Sequence, residues 1–479
     1  MNDIKPGIDS KVHGADSYRY IIIGFYIIVS VINGMANNPL TPVSGTTEKT
    51  YQVTTVQIAL TTTVCQIAQI AMSLPAVKIA STFGVRFSMT LGVLLLTLGF
   101  LTRTLINNSL YYVVLGQAIG GAGSPLITVI QARVVTDWFN KNQRGLWLAL
   151  GALGPVLGVM VGFVMPLFFI DISPETSISE QKANMRYYLM FEAGIIAVFF
   201  VLIVIFWRAS PGTIEEDSHE IQVSARETFS INDPAEGGID SLFAQIKICF
   251  SRGAIRSMFV INGVEFGLVT AVGSLITPVL GAFSYPEYYG PLLAVSVILS
   301  GLIATIIYST YMLKHRYQYK NKYILTGLST IFFTCLCIAV YHKSSFIVIM
   351  LLACLFGMPG ISITILVIEE IIRRVHGNML MTATIINAIS GQLVAALMTY
   401  TSGLFLESGN EYTASLVMTS FSVIFLLVFL YCFVAETRLK DDDNRKKGLK
   451  LSLIDNLSAN SNSTDLNTSG ASPGSKYLM

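Results

Sequence analysis

Charged residues are scarce in this sequence. Asp, Glu, Lys and Arg make up only 13% of its 479 residues, whereas hydrophobic residues make up 53%. The surface of a soluble domain needs about twice that share of charge. The composition therefore excludes an ordinary soluble protein, and the mean hydropathy of +0.62 places the chain in a lipid bilayer. With a net charge of +2 and no basic stripe rich in aromatic residues, we expect no nucleic-acid partner.

Residues that usually carry chemistry are also few or badly placed for it. The six cysteines lie almost all in apolar segments and lack the spacing of a disulfide framework, which favours a packing role. The five histidines fall outside the predicted hydrocarbon core. No metal-ligand cluster, phosphate-binding loop or nucleophile with its base is evident. We therefore expect no cofactor, no bound metal and no enzymatic activity.

Long apolar segments are abundant, and each is close to the roughly 20 residues that one helix needs to cross a membrane. Twelve are predicted, at 18–42, 53–77, 87–106, 110–134, 145–170, 187–208, 254–283, 289–312, 322–341, 345–370, 379–405 and 413–436. The predicted fold class is an all-α membrane protein of two six-helix bundles. Its predicted divisions are an N-terminus at 1–17, a first bundle at 18–208, a central loop at 209–253, a second bundle at 254–436 and a disordered tail at 437–479.

Basic residues in the short loops predict the orientation, because loops rich in Lys and Arg stay on the cytosolic side. If the N-terminus is cytosolic, the inner loops contain Lys78, Arg86, Lys141, Arg144, Lys314, Arg316, Lys320, Lys322, Arg373 and Arg374. The outer connections contain only Lys49, Lys182, Arg186 and Lys343. We therefore expect both termini in the cytosol, in either the plasma membrane or an internal membrane.

The two predicted bundles repeat each other in the same order along the chain. Val31-Ile32-Asn33-Gly34 recurs as Val260-Ile261-Asn262-Gly263, and the stretch at 121–130 recurs in similar form at 357–366. Parallel repeats of this kind are typical of one large class of secondary transporter, whose substrate site lies between the two halves near the membrane midplane.

Local motifs strengthen this interpretation. Gly84 and Arg86 follow the second predicted helix, where the major facilitator superfamily usually has an acidic residue, a glycine and basic residues; here Ser81 replaces the acid. Gly154-Pro155-Val156-Leu157-Gly158 resembles part of a fifth-helix motif of antiporters, although small residues at this spacing favour simple helix packing. With six plus six helices, the chain resembles the major facilitator superfamily, which implies two pseudo-symmetric bundles that work by alternating access.

Within that superfamily the chain resembles the feline leukemia virus subgroup C receptor-related transporters. The resemblance is carried by Pro75 with 84–86, Gly116-Gln117, Arg133 with Trp138-Phe139, Gly162-Phe163, Pro166, and Asn387-Ala388 with Gln392. It implies carriage of choline or ethanolamine, with a haem role also proposed for the family. Gln392 matches a substrate-facing glutamine, whereas Val156 and Asn37 replace a glutamine and a tryptophan of the family. A quaternary ammonium is best held by aromatic faces, so these two replacements weigh against choline. The positions of the histidines weigh against haem.

Polar residues inside the apolar segments predict the substrate site, because an amide or carboxylate that faces lipid is costly. Glu265 is the leading candidate, as an intramembrane carboxylate that binds a cation or carries a proton. The alternative is a structural carboxyl hydrogen-bonded to Asn262 or to a neighbouring helix. Gly34 and Pro39 could free backbone groups in the first helix to bind substrate. The full predicted set is Asn33, Asn37, Asn38, Gln117, Asn262, Glu265, Phe266 and Gln392.

Charged residues near the cytosolic helix ends predict a gate of ion pairs that break during transport. The candidates are Arg86, Arg133, Asp137, Glu369, Glu370 and Arg373, with snorkelling to the interface as the alternative. Arg103 and Glu192, near the outer helix ends, are expected at the interface. Gln117 stands where many proton-coupled relatives have an arginine, which favours facilitated diffusion.

The sequence thus predicts a monomeric secondary transporter in the lipid bilayer, a uniporter for a small polar organic solute, with a cation or zwitterion favoured. One alternative is a proton-coupled symporter of an organic anion or nutrient. That alternative needs a cationic group in the cavity, and none is expected mid-membrane. A second alternative is a nutrient receptor that uses a transporter fold.

Overall fold

A computed structural model describes residues 16–139, 141–172, 176–208, 246–251, 253–314, 320–374 and 378–434. The first half of the chain contains α1 (Asp16–Met35), a short 3-10 turn (Thr41–Val43), α2 (Ser44–Tyr51), α3 (Thr55–Arg103), α4 (Leu110–Thr128), α5 (Gln131–Trp138), α6 (Lys141–Phe169) and α7 (Ile178–Phe206). The second half contains α8 (Gly253–Ala282), α9 (Tyr289–Lys314), α10 (Lys320–Tyr341), α11 (Phe346–Arg374), α12 (Asn378–Leu406) and α13 (Glu411–Val434). The predicted tail and most of the predicted central loop lie outside the described residues.

Eleven helices in the described part of the chain are long and apolar enough to cross a membrane, and one of them does so twice. Helix α3 has 49 residues, and Gly84 interrupts it with a φ of 82° and a ψ of 175°. At 1.5 Å per residue, 49 residues would extend about 74 Å, more than twice the roughly 30 Å hydrocarbon core. The positive φ is one that glycine adopts without strain, so Gly84 divides α3 into two spans. The twelve predicted spans and the all-α fold class are confirmed.

Glycines bring equivalent helices together in both halves. In the first half, a Cβ atom on Gly158 of α6 would collide with the carbonyl oxygen of Val31 of α1. In the second half, a Cβ atom on Gly267 of α8 would lie 2.6 Å from the Val394 side chain of α12. The packing interpretation of the motif at 154–158 is therefore confirmed, because these glycines let helix backbones approach closely.

Each half also has an apolar core of its own. In the first half, the buried side chains of Tyr26, Phe100 and Trp207 belong to one cluster. In the second half, Phe333, Phe356 and Phe425 lie at the centre of another, with ring centroids 5.0–5.7 Å apart. Phe163 of α6, in the first half, also belongs to this second cluster, so the two cores are joined at the interface between the halves.

Candidate functional site

The first predicted transmembrane segment, 18–42, is broken towards its C-terminal end. Helix α1 ends at Met35, and the chain becomes helical again only at Thr41. Pro39 in the break lacks a backbone N–H and cannot continue the hydrogen bonds of a helix. The break therefore leaves Asn37 and Asn38 on irregular backbone inside the bundle, where protein groups rather than lipid must satisfy them.

The three asparagines of this region have different partners. Asn33 donates from Nδ2 to Ser124 Oγ of α4 at 3.0 Å. The Oδ1 atom of Asn37 accepts a hydrogen bond from Gln69 Nε2 of α3 at 2.9 Å. Asn33 and Asn38 are buried, whereas Asn37 is half-buried.

Asn38 connects the two halves of the molecule. Its Oδ1 atom lies 3.1 Å from Ser274 Oγ of α8 and 3.3 Å from Thr62 Oγ1 of α3. Ser274 is on the same helix as Glu265, nine residues later, which is about 13 Å along the helix axis. The break in the first span and the charged helix of the second half thus share one interface.

Glu265 is fully buried in α8, and the Ser329 hydroxyl of α10 is its polar neighbour. The carboxylate forms no ion pair among the described residues, and the Oδ1 atoms of Asn262 and Asn387 have no hydrogen-bond partner there. Of the structural alternative that the sequence offered, the hydrogen bond to Asn262 is not formed, whereas Ser329 places a polar group of a neighbouring helix beside the carboxyl group. An unpaired polar group in a protein interior costs about 1–3 kcal/mol, and an unpaired charge costs more. Glu265 is thus a buried carboxyl group without a countercharge among the described residues.

Phe266 of α8 packs against α12 at Gly391, the residue before Gln392. Phe266 and Gln392 are both half-buried. A Cβ atom on Gly391, the residue before Gln392, would lie 2.6 Å from Cδ1 of the Phe266 ring, so the ring rests directly on the α12 backbone. The helix that carries Glu265 and the helix that carries Gln392 are therefore in direct contact at this level.

Gln117 is fully buried in α4 and is bound to a cation. The Nη2 atom of Arg103 donates to Gln117 Oε1 at 2.8 Å and to the carbonyl oxygen of Ala36 at 3.3 Å. The sequence predicted that Arg103 and Glu192 lie at the membrane interface. That prediction is wrong, because both side chains are buried inside the first half, with exposed fractions of 0% and 1%. The sequence signal for this burial was the set of glycines at 99, 116 and 120, because they let α3 and α4 approach closely enough to enclose the Arg103 side chain.

The predicted gate residues are only partly described. Arg133 and Asp137 lie one turn apart on α5, 3.9 Å from each other and both exposed. Arg86 is exposed just after the Gly84 kink. The side chains of Glu369, Glu370 and Arg373 lie outside the described residues, so the predicted ion pairs remain a prediction.

The two halves meet firmly at one end of the bundle, which we call the distal end; it contains α2 and the connections 104–109, 283–288, 342–345 and 407–410. Both Oε atoms of Glu287 from the second half accept hydrogen bonds from Thr46 N of α2, at 2.9 and 3.1 Å. Oε2 also accepts one from Thr46 Oγ1 at 2.7 Å. Deeper in the interface, a Cβ atom on Gly403 of α12 would lie 3.0 Å from Ala59 Cβ of α3. The structure is therefore closed at its distal end.

Glu48, also on α2, lies close to this contact. Its Oε1 atom accepts a hydrogen bond from Thr55 Oγ1 at 2.6 Å. Burial raises the pKa of Glu48, and the nearby charge of Glu287 raises it further, whereas the Thr55 hydrogen bond and Lys49 lower it. Two carboxyl groups therefore share the closed distal end.

Comparisons with known proteins agree with this architecture. The family model of the Major Facilitator Superfamily matches residues 26–399. An uncharacterised MFS-type transporter of Caenorhabditis elegans is 22% identical over 87% of this chain and 69% of its own length. The choline/ethanolamine transporter FLVCR1 of Felis catus is 20% identical over 66% of this chain, and the match spans only 56% of the feline protein.

Solved structures share the fold. A D-xylose–proton symporter covers 86% of this chain, and 97% of its own length is matched, with a TM-score of 0.65 at 14% identity. An inward-facing, unoccupied bacterial homologue of the human lysosomal transporter Spinster covers 89% of this chain and matches over 98% of its own length, with a TM-score of 0.65 at 13% identity. The matched family model covers most of the chain, and the twelve spans and paired six-helix halves agree with it. The chain therefore belongs to the major facilitator superfamily.

Proposed function

We propose that this transporter carries a small organic cation or zwitterion by uniport, with Glu265 as the counter-charge of the substrate. As a member of its superfamily, the chain moves a solute by alternating access. The single observation that supports the charge preference is the fully buried Glu265 carboxyl group, which has the Ser329 hydroxyl as a polar neighbour but no ion pair among the described residues. A substrate ammonium group would supply a charged donor and neutralise the charge.

The neighbouring residues support the same substrate class. The half-buried Phe266 ring offers an aromatic face to an ammonium group, and the Gln392 amide offers a donor and an acceptor to a hydroxyl or carboxylate. Asn37 and Asn38 add amide groups from the first half. The relatives named as choline/ethanolamine transporters carry substrates of this chemistry, and we extend that substrate class to this chain as part of the proposal.

The proposal includes an orientation and a cycle. Following the basic-residue asymmetry, we place both termini in the cytosol, so that the distal end faces away from it. The closed distal end then corresponds to an inward-facing or occluded state. Arg86, Arg133, Asp137, Glu369, Glu370 and Arg373 would close the cytosolic side in the opposite state. We propose that the functional unit is a monomer.

Binding is tested with the purified protein by thermal shift against choline, ethanolamine, amino acids, carboxylates and sugars, and by uptake of labelled choline and ethanolamine into proteoliposomes. A ligand that binds the folded state raises the melting temperature by mass action. We expect an amine to stabilise the parent protein. Glu265→Gln should weaken that amine at least about tenfold, because losing one partner of a buried charge pair costs about 2–5 kcal/mol.

Two further variants make the test specific. Glu265→Asp keeps the charge and should retain part of the affinity. Thr277→Val removes another buried polar group from α8 and should leave amine binding unchanged. Stabilisation by a carboxylate or sugar that Glu265→Gln leaves intact would refute the cation proposal. Uptake of an organic anion that requires an inward proton gradient would instead support the symporter alternative.

A further inference from the structure

The broken first span ends next to a buried cation. In any α-helix the last carbonyl groups lack partners within the helix, and the C-terminal end carries a partial negative charge. Here the carbonyl oxygen of Ala36, just beyond the end of α1, accepts a hydrogen bond from Arg103 Nη2 at 3.3 Å. Ala36 immediately precedes Asn37 and Asn38. The guanidinium group therefore holds the chain at the first residue of the break.

The surroundings of Arg103 are shaped to hold this side chain. Its guanidinium carbon lies 4.3 Å from the centroid of the Phe100 ring, and Nη2 also donates to Gln117 Oε1 at 2.8 Å. A Cβ atom on Gly116 would lie 2.8 Å from Arg103 Cγ, so the aliphatic stem occupies space that only a glycine leaves free. Arg103 thus ties α3 to α4 and to the end of α1 at one point.

We propose that Arg103 is a positioning residue for substrate binding. By fixing Ala36, it holds the break in the conformation that presents Asn38 at the interface between the halves and Asn37 beside Gln69 and Cys65 of α3. This inference rests on the proposed function, because it assumes that the break contributes to the substrate site. A lysine at this position keeps the charge and a donor nitrogen but lacks the guanidinium plane that lies over the Phe100 ring.

The native Cys65 reports the conformation of the break directly. Its Sγ atom lies 3.8 Å from Asn37 Oδ1, and its exposed fraction is 1%. In a full-length protein whose other cysteines are replaced by serine or alanine, the rate at which a small maleimide alkylates Cys65 measures how well the break is held. Arg103→Gln should raise this rate about tenfold, since it removes a charged hydrogen bond. Arg103→Lys should give an intermediate rate.

Transport provides the second readout. For choline and ethanolamine uptake, Arg103→Gln should raise KM about tenfold with little change in the maximal rate, and Arg103→Lys should restore part of the KM. An unchanged Cys65 alkylation rate in a folded Arg103→Gln protein overturns the inference. A loss of about tenfold in the maximal uptake rate with an unchanged KM in that variant overturns it as well. If Arg103→Gln does not fold, Arg103→Lys alone decides by the same two criteria. If the parent protein transports neither amine, the proposed function fails, and the Cys65 rate still decides whether Arg103 holds the break.

Discussion

Replacing Glu287 should open the distal end of the transporter. In the closed state its carboxylate accepts hydrogen bonds from Thr46 N at 2.9 and 3.1 Å and from Thr46 Oγ1 at 2.7 Å. Thr46 lies in the first turn of α2, where backbone N–H groups are unpaired and a negative charge is favoured. The contact therefore combines two kinds of donor with a favourable helix dipole, and it joins residues from opposite halves.

The size of the effect follows from the chemistry of the bond. A hydrogen bond to a charged group contributes about 1.5–3 kcal/mol. Glu287→Gln keeps one carbonyl acceptor but loses the charge and the second oxygen, so we expect the closed state to lose about 1–2 kcal/mol relative to the open state. This corresponds to an increase of about 5–30-fold in the ratio of open to closed molecules.

The assay uses a cysteine that only the open state exposes. Ala59 is 5% exposed in the structure and faces Gly403 of the other half. In a protein with Ala59→Cys as its single cysteine, the rate of alkylation by a membrane-impermeant maleimide should rise about 5–30-fold in the Glu287→Gln variant, in step with the open population.

The matched control is Glu411→Gln, which removes a distal carboxylate whose ion pair with Lys343, at 2.7 Å, lies within one half. That pair is about half exposed and should contribute no more than about 1 kcal/mol, without any effect on the separation of the halves. Equal alkylation rates in the Glu287→Gln and Glu411→Gln proteins would refute the reasoning.

Two other substitutions test the closed end and the helix packing. Glu48→Gln should raise the melting temperature at pH 7.5, because burial and the charge of Glu287 penalise the ionised Glu48 carboxylate. Since the pKa of Glu48 is raised, this gain in stability should disappear as the pH falls below the ordinary value of 4.5. A gain that persists below that pH would contradict a raised pKa for Glu48. Gly158→Ala should destabilise the protein by about 1–3 kcal/mol, because the added methyl group collides with the Val31 carbonyl oxygen. Gly194→Ala, with nothing within 4 Å of the new atom, is its control, and equal thermal inactivation of the two glycine variants would argue against close packing of α1 on α6.

The sequence by itself determined the number of spans and the repeated organisation of the chain. Bilayer thickness sets the length of a spanning helix, so apolar segments can be counted without knowledge of their neighbours. The fold follows from that count and from the internal repeat. The sequence also indicated that Asn33, Asn38, Asn262 and Glu265 avoid lipid, because polar groups inside a membrane must find protein partners. All four are buried.

Only the tertiary structure decided which partners those groups have. Hydropathy placed Arg103 at the membrane interface, whereas the close approach of α3 and α4 encloses its side chain beside Gln117 and Ala36. The contacts Asn38–Ser274 and Thr46–Glu287 join residues more than 230 positions apart. A contact of this kind depends on how two complete bundles meet, and no local pattern of residues encodes that geometry. The closed distal end and the positioning of the broken first helix are therefore properties of the assembled fold.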